Sequence, residues 1–289
     1  MHNGLYSYII LLGNVYIFYM KKIRLILKIY LLICFVPFIY GQNLSILYEF
    51  KFKDNKDFTK TKIYYLDILK HESVFRSSHQ RISDSLLTTT GYGYGYSTNI
   101  DEQVYIHKKL ADREIKKVVV SPITRDKVFV KISDAINWTI LPDAQKVGSF
   151  NCQKIETDYG GRHWVGWFTR DVSLSEGPYV FNGLPGLIVQ INDSEGIFDF
   201  SLVSIKNNRQ ENLYLPNTGK EVSWEELNKI RKDYYTDPFS YVRLIGAKAM
   251  EDDGNGGMKK INFREKIEGI RKSIRNTIPI ESDYKIDYE

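Results

Sequence analysis

Residues 150–169 read FNCQKIETDYGGRHWVGWFT and contain the clearest hairpin pattern in the chain. Gly160 and Gly161 separate two runs that are rich in strand-forming residues. A Gly-Gly pair between such runs favours a two-residue turn, because glycine readily adopts the positive φ angles that this turn requires. The pattern therefore predicts two antiparallel strands, 150–159 and 162–169.

Similar runs on both sides of this hairpin extend the predicted sheet. In residues 44–53 apolar side chains alternate with polar ones, which is the period of a strand with one buried face. Most runs are joined by turns too short for a crossover helix, so neighbouring strands are expected to be antiparallel. The other predicted strands are 62–68, 103–108, 115–120, 127–132, 138–141, 187–191 and 197–205.

Helical patterns interrupt the strands between Ser77 and Leu87 and replace them near the C-terminus. Ser223 and Glu226 form a capping box, Asp237-Pro238 predicts a helix to about Met250, and Asn262 begins a third helix. We therefore expect an α+β, mostly β fold: a curved antiparallel sheet with two or three C-terminal helices packed on one face.

Residues 20–41 have the composition of a signal peptide. Basic residues between Lys21 and Lys28 precede the apolar run 29–39, and Gly41 is a small residue at which a signal peptidase can cut. Residues 1–19 are interpreted as a spurious N-terminal extension ahead of a true start at Met20. The alternative is that both apolar runs are translated and anchor the protein. On the first reading the protein is exported, to the periplasm or cell envelope, and 42–289 is a single domain.

The mature part of the chain is nearly neutral. Residues 1–41 contain four of the 40 Lys and Arg residues and none of the 35 Asp and Glu residues, which leaves 36 basic residues against 35 acidic ones. This balance gives no support to nucleic-acid binding, and contact with a membrane is expected only through an uncleaved leader. Cys152 is the one cysteine after residue 41, so no internal disulfide is expected.

No metal, cofactor or catalytic motif is evident in the sequence. The histidines are scattered over separate predicted elements, and no zinc spacing occurs. Cys152 and His163 form the one nucleophile and base pair that the predicted hairpin can bring near each other. The alternative is that Cys152 is a small buried residue.

Five short motifs resemble a known family. They are CQK (152–154), GRHW (161–164), WFT (167–169), GP (177–178) and GLPGLI (183–188). The motifs and their order resemble those of the GLPGLI family of Bacteroidetes, also called the Porph_ging family. The resemblance implies a single GLPGLI-type domain in an exported protein of unknown function. It also implies a possible partner, a TonB-dependent outer-membrane receptor.

The hexapeptide also has a physical reading of its own. Pro185 fits the second position of a β-turn, and Gly186 fits the positive φ that a type II turn requires next. The motif is then a turn that orients a buried strand. The functional reading is that Pro185 and Gly186, with Arg162, Trp164 and Trp167 beside them, form a ligand or partner surface, since aromatic and Arg side chains often anchor such surfaces.

Three functions remain open from the sequence. The first is a periplasmic binding or accessory module that works with an outer-membrane partner. The second is a carrier of an apolar ligand in a sheet-and-helix cup, which predicts a deep cavity lined by residues such as Trp164 and Phe198. The third is a hydrolase of unrecognised type that uses Cys152 or a carboxylate site.

Overall fold

The computed structural model describes residues 22, 43–133, 135–208, 212–215 and 219–288. Apart from Lys22, the predicted N-terminal extension and signal peptide lie outside the described residues. The described residues from 43 to 288 form one compact unit.

A large antiparallel sheet dominates this unit. Within the described ranges it has twelve strands, in the order β12-β6-β5-β4-β3-β2-β1-β11-β10-β9-β8-β7, and only the short pair β12 and β6 is parallel. The strands are β1 Leu44–Lys53, β2 Thr59–Leu69, β3 Glu72–Ser77, β4 Ile106–Lys109, β5 Glu114–Val120, β6 Lys127–Ile132, β7 Thr139–Val147, β8 Phe150–Tyr159, β9 Arg162–Thr169, β10 Leu187–Asp193, β11 Phe198–Asn207 and β12 Lys220–Glu221. The predicted fold class, α+β and mostly β, is confirmed.

The hairpin at Gly160 and Gly161 forms as predicted. Tyr159 pairs with Arg162 across the turn, and the two glycines have φ angles of 62° and 71°. Two consecutive positive φ angles are typical of a type I′ turn, whose twist matches that of the strands it joins.

One face of the sheet, which we call the inner face, carries the main core. Side chains alternate along each strand, so Tyr48 and Phe50 of β1 point to this face together. The rings of Phe50 and Phe200 stack with centroids 4.2 Å apart. The segment 170–186, which connects β9 to β10, crosses this face and adds Tyr179 and Phe181 to the core.

The C-terminal helices pack on the same inner face, beside β5 and β6. They are α2 Trp224–Thr236, α3 Ser240–Leu244 and α4 Phe263–Arg275, and α1 Ser78–Thr90 precedes them in the chain. Leu227 of α2 and Ile270 of α4 pack with Val119 and Val130 of the sheet. The capping box at Ser223 and the N-cap at Asn262 are confirmed.

The helix predicted to run from Asp237 to about Met250 is much shorter in the structure. It ends at Leu244, and Met250 begins a separate hairpin of β13 Met250–Asp252 and β14 Met258–Lys260. The cause is Gly246, which adopts a φ of 62° and donates its N–H to the carbonyl of Arg243. A left-handed glycine at this position ends a helix.

Helix α1 lies on the opposite, outer face of the sheet, over a buried polar cluster. Asp67 and Arg76 point to the outer face, since their neighbours Leu66 and Phe75 belong to the inner core. Arg76 contacts Asp84 of α1 at 2.7 Å, and Arg81 of α1 contacts Asp67 at the same distance. Buried charges are tolerated here because each has a partner of opposite charge.

Candidate functional site

The two tryptophans of the predicted surface lie on different faces of β9. Trp164 points to the inner face and is fully buried, whereas Trp167 points to the outer side and is half-buried. An odd separation along a strand places two side chains on opposite faces. The prediction that Trp164 and Trp167 share one ligand or partner surface is therefore wrong.

Arg162 holds the C-terminal segment of the chain. Its guanidinium donates to the carbonyls of Ile280 at 3.0 Å and Pro279 at 3.2 Å, and it contacts Asp193 at 3.2 Å and Glu195 at 2.7 Å. The side chain is only 7% exposed. The structure thus gives Arg162 a structural role, with its hydrogen-bonding groups already occupied.

The turn of the hexapeptide differs from the type II turn expected for it. The N–H of Gly186 donates to the carbonyl of Leu184 at 2.8 Å, so the turn is a γ-turn centred on Pro185. The positive φ, 93°, belongs to Gly183 and not to Gly186. Gly186 is buried and is required for packing, because a Cβ added there would lie 2.1 Å from the carbonyl oxygen of Thr169. Pro185 is exposed beside it.

Cys152 and His163 are too far apart to act together. Cys152 pairs with Thr169 and His163 pairs with Asp158, so the two pairs are separated by six residues along β8, roughly 20 Å. Burial raises the pKa of the Cys152 thiol, which disfavours the nucleophilic thiolate. The structure contradicts the Cys152 form of the hydrolase hypothesis.

A cleft of about 600 Å³ opens beside the inner face of the sheet. On one side it is lined by β4–β6 and the residues that follow β6, and on the other by part of segment 170–186. Gly183, the first residue of the hexapeptide, lies in this wall. We call this opening the inner-face cleft.

A buried ion pair forms the base of the inner-face cleft. The ammonium of Lys108 lies 2.6 Å from Glu176, and both side chains are 1% exposed. Ser73 donates to the same carboxylate at 2.7 Å, and Lys108 also donates to the carbonyl of Gly177 at 3.0 Å. Burial lowers the pKa of Lys108, and the charge of Glu176 offsets this only in part. The pair links β4 to segment 170–186.

Part of the cleft wall is aliphatic, and the lining also includes the charged residues Lys109, Arg113 and Glu114. Ile115, Ile132 and Leu174 contribute aliphatic surface, and the indole of Trp138 is held by a hydrogen bond to the carbonyl of Asn182 at 2.8 Å. Arg113, in the turn between β4 and β5, is exposed at the rim and forms no ion pair with any described residue. Such a cleft suits a ligand that combines an apolar body with an anionic end.

Sequence patterns did not indicate this cleft. Its residues come from four separate stretches, and only Gly183 belongs to a motif recognised in the sequence, the hexapeptide. The available signals were Gly183 of the hexapeptide and Trp138, an aromatic residue at the start of a predicted strand.

Comparisons with known proteins give fold similarities only. No protein-family model matches the chain, and no curated protein matches it. Among solved structures, two crystal forms of PNGF-II are similar at TM-score 0.48 and 11% and 12% identity, over 66% of this chain. A LolA superfamily protein from Nitrosomonas europaea is similar at TM-score 0.27 and 8% identity, over 60% of this chain and 89% of its own length. This chain spans about a third of PNGF-II, 32% and 33%.

The described residues limit two other kinds of site. No group of three or more His, Cys, Asp or Glu side chains that could hold a metal occurs among them. None of the helices in the described ranges is both long and apolar enough to cross a membrane.

A second cleft, of about 450 Å³, lies at the start of α1. Its rim contains Glu102, which lies 2.6 Å from Lys60 and 2.9 Å from Lys62. Burial raises the pKa of Glu102, but the hydrogen bonds and charges of the two lysines outweigh it and hold that pKa below its usual range. Glu102 thus stays ionised in the folded protein at a lower pH than in the unfolded chain.

Replacing Glu102 by glutamine is expected to have a pH-dependent effect on stability. The carboxylate stabilises the fold fully above its unfolded pKa, about 4.3, and this contribution is lost as the pH falls through the lowered folded value. Urea unfolding at pH 7 should therefore show Glu102→Gln to be less stable than the wild type, with the difference shrinking at pH 3. An equal difference in stability at both pH values would contradict the conclusion that Glu102 stabilises the fold through its ionised carboxylate.

Proposed function

We propose that the protein is an exported binding module whose inner-face cleft takes an amphipathic ligand, an apolar chain with an anionic end. The cleft itself carries the proposal, because it places the aliphatic side chains of Ile115, Ile132 and Leu174 near Arg113, an exposed arginine that forms no ion pair with any described residue. Its volume, about 600 Å³, is within the usual range of small-molecule sites, about 300–1,000 Å³.

The positions of the charges set the direction in which the ligand binds. The ion pair of Lys108 and Glu176 at the base is neutral as a unit and has its hydrogen bonds satisfied within the protein. Arg113, in the turn that follows β4, is exposed and has no acidic partner among the described residues. An apolar chain is therefore accommodated between Ile115, Ile132 and Leu174, with its anionic end directed outward to Arg113.

The inner-face cleft is not the deep cavity that the carrier hypothesis predicted beside Trp164 and Phe198. Trp164 and Phe198, expected to line that cavity, are 0% and 2% exposed. Trp164 packs on Phe181 of segment 170–186, with ring centroids 4.9 Å apart, so the chain itself fills the space. Export and partnership with an outer-membrane receptor remain predictions from the leader and from the family resemblance.

Dodecanoate, a carboxylate with a straight alkyl chain, tests the proposal. We expect it to bind the wild type and to change the fluorescence of Trp138, so that Trp138→Phe loses most of the signal. Arg113→Glu should weaken binding about tenfold or more, since it places a like charge beside the carboxylate.

The matched control is Arg125→Glu. Arg125 is also an exposed arginine with positive φ, 62° against 53° for Arg113, in the turn between β5 and β6, but it does not line the cleft. Its variant should bind dodecanoate as the wild type does. If dodecanoate does not bind the wild type, or if both variants weaken binding equally, the proposal is wrong.

A further inference from the structure

The cleft of about 450 Å³ at the start of α1 has no lining residue in common with the inner-face cleft. Its walls are formed by residues 62–64 of β2, residues 77–80 at the start of α1, residues 95–97 of the loop that follows α1, and residues 102–103. We call this opening the α1 cleft. Its volume is within the usual range of small-molecule sites, about 300–1,000 Å³.

Two buried polar groups that line the α1 cleft lack a hydrogen-bond partner among the described residues. Gln80 is 7% exposed, and the oxygen of its side chain accepts the N–H of Ser77 in the capping box of α1. The NH₂ group of the same amide donates to no described residue. Tyr64 is 2% exposed, its ring lies 5.1 Å from that of Phe75, and its hydroxyl forms no hydrogen bond with any described residue. Buried polar groups are normally hydrogen-bonded, so both groups are available to a ligand that accepts hydrogen bonds.

The charges in the lining of the α1 cleft are already paired. Lys62 and Glu102, the only Lys, Arg, Asp or Glu among the described residues that line it, lie 2.9 Å apart, and Lys60 contacts the same carboxylate from outside the lining. Burial raises the pKa of the Tyr64 hydroxyl, and the negative charge of Glu102 raises it further. A second negative charge beside Tyr64 would therefore be repelled by Glu102. The lining favours an uncharged ligand with hydroxyl groups, which can accept from Tyr64 and Gln80 and donate to the carboxylate of Glu102.

An aromatic loop borders the same cleft. Residues 91–96 read GYGYGY, and this loop is fixed to α1 because Nε2 of His79 donates to the carbonyl of Gly95 at 2.8 Å. The ring of Tyr94 stacks on His79 with centroids 5.4 Å apart, and Tyr94 is 50% exposed. His79 and Gly95 both line the cleft, so the Tyr94 ring lies beside it. An exposed aromatic ring gives the C–H face of a sugar ring a surface on which to pack.

We propose that the α1 cleft binds a neutral saccharide. Hydroxyl groups of the sugar accept hydrogen bonds from the amide of Gln80 and from Tyr64, and another hydroxyl donates to the carboxylate of Glu102. The C–H face of a sugar ring packs on Tyr94. A saccharide fits this combination because it is uncharged, carries many hydroxyl groups and has apolar C–H faces. The site is separate from the inner-face cleft and does not depend on the ligand proposed there.

Saturation-transfer NMR titration of the mature protein with maltose, lactose and N,N′-diacetylchitobiose tests this assignment. We expect at least one of these neutral disaccharides to bind the wild type, and inorganic phosphate not to displace it. Tyr64→Phe removes only the hydroxyl, and Gln80→Glu replaces the NH₂ group but keeps the oxygen that caps α1. Each should weaken binding about tenfold, the effect expected of one lost hydrogen bond. Tyr94→Ala changes an exposed position and should also weaken binding.

Stability measurements and a matched control separate binding from folding. Tyr64→Phe and Gln80→Glu should unfold at the same urea concentration as the wild type, because neither altered group has a partner among the described residues. Gln145→Glu makes the same exchange at an exposed position of β7 outside the cleft, and it should bind as the wild type does. The proposal is overturned if none of the three disaccharides binds the wild type, if Tyr64→Phe and Gln80→Glu bind as tightly as the wild type, if Gln145→Glu weakens binding equally, or if phosphate displaces the disaccharide.

Discussion

Glu176→Ala is expected to lower the free energy of unfolding by about 3–5 kcal/mol, because it leaves the ammonium of Lys108 buried without a counter-charge. Lys108 is 1% exposed, and Glu176 is its one acidic partner within ion-pair distance among the described residues. The substitution also removes the acceptor of the Ser73 hydroxyl. A loss of this size is a large fraction of the 5–15 kcal/mol that stabilises a typical domain, and urea denaturation measures it directly.

The double variant Lys108→Met, Glu176→Leu separates the ion pair from simple packing. Both charges are then gone, and apolar side chains of similar size occupy the base of the cleft. Its stability should lie well above that of Glu176→Ala, since no uncompensated charge remains. If the double variant is as unstable as Glu176→Ala, the loss of stability comes from lost packing or from the Ser73 hydroxyl. The explanation by an uncompensated charge on Lys108 is then wrong.

Gly186→Ala is expected to destabilise the protein by about 3 kcal/mol or more, since an added Cβ would overlap a backbone atom. That Cβ would lie 2.1 Å from the carbonyl oxygen of Thr169. Thr169 is the partner of Leu187 in the β9–β10 pairing, so relief of the overlap requires the two strands to separate. The midpoint of thermal or urea unfolding gives the effect.

Gly183→Ala is the comparison within the same hexapeptide. Gly183 has a φ of 93°, but no atom lies within 4 Å of an added Cβ, so only backbone strain of about 1 kcal/mol is expected. If Gly183→Ala is the more harmful of the two, then the turn conformation and not the strand contact explains the motif.

Much of the local structure was predictable from the sequence. Strand β1, both capping residues of α2 and α4, and the turn at Gly160 and Gly161 all depend on neighbours within a few positions. Strand β3 was missed for a physical reason: its inner face packs in the main core and its outer face lies under α1, so both faces are buried and no apolar alternation marks it.

Two errors about the site were avoidable from strand geometry. Trp164 and Trp167 are three residues apart, and an odd separation in a strand places side chains on opposite faces. Counting outward from the Gly-Gly turn pairs His163 with Asp158, as the structure has it, and this register already separates His163 from Cys152. A hairpin turn sets which residues face each other.

The hairpin at Gly160 and Gly161, the starts of α2 and α4 and the alternation that gives the sheet its inner face could be read from the amino-acid sequence alone, because each depends on contacts over a few residues. The start of α3 could not: it begins at Ser240, and its N-cap Phe239 makes no side-chain capping hydrogen bond. What covers the inner face depends on contacts between residues far apart in the chain. Lys108 and Glu176 are 68 residues apart and still meet in the core, and Arg162 contacts carbonyls 117 and 118 residues away. Burial determines these partners, because a buried charge or polar group is stable only beside a group of opposite charge or a hydrogen-bond partner. No periodic pattern in the sequence indicates which residue that partner will be.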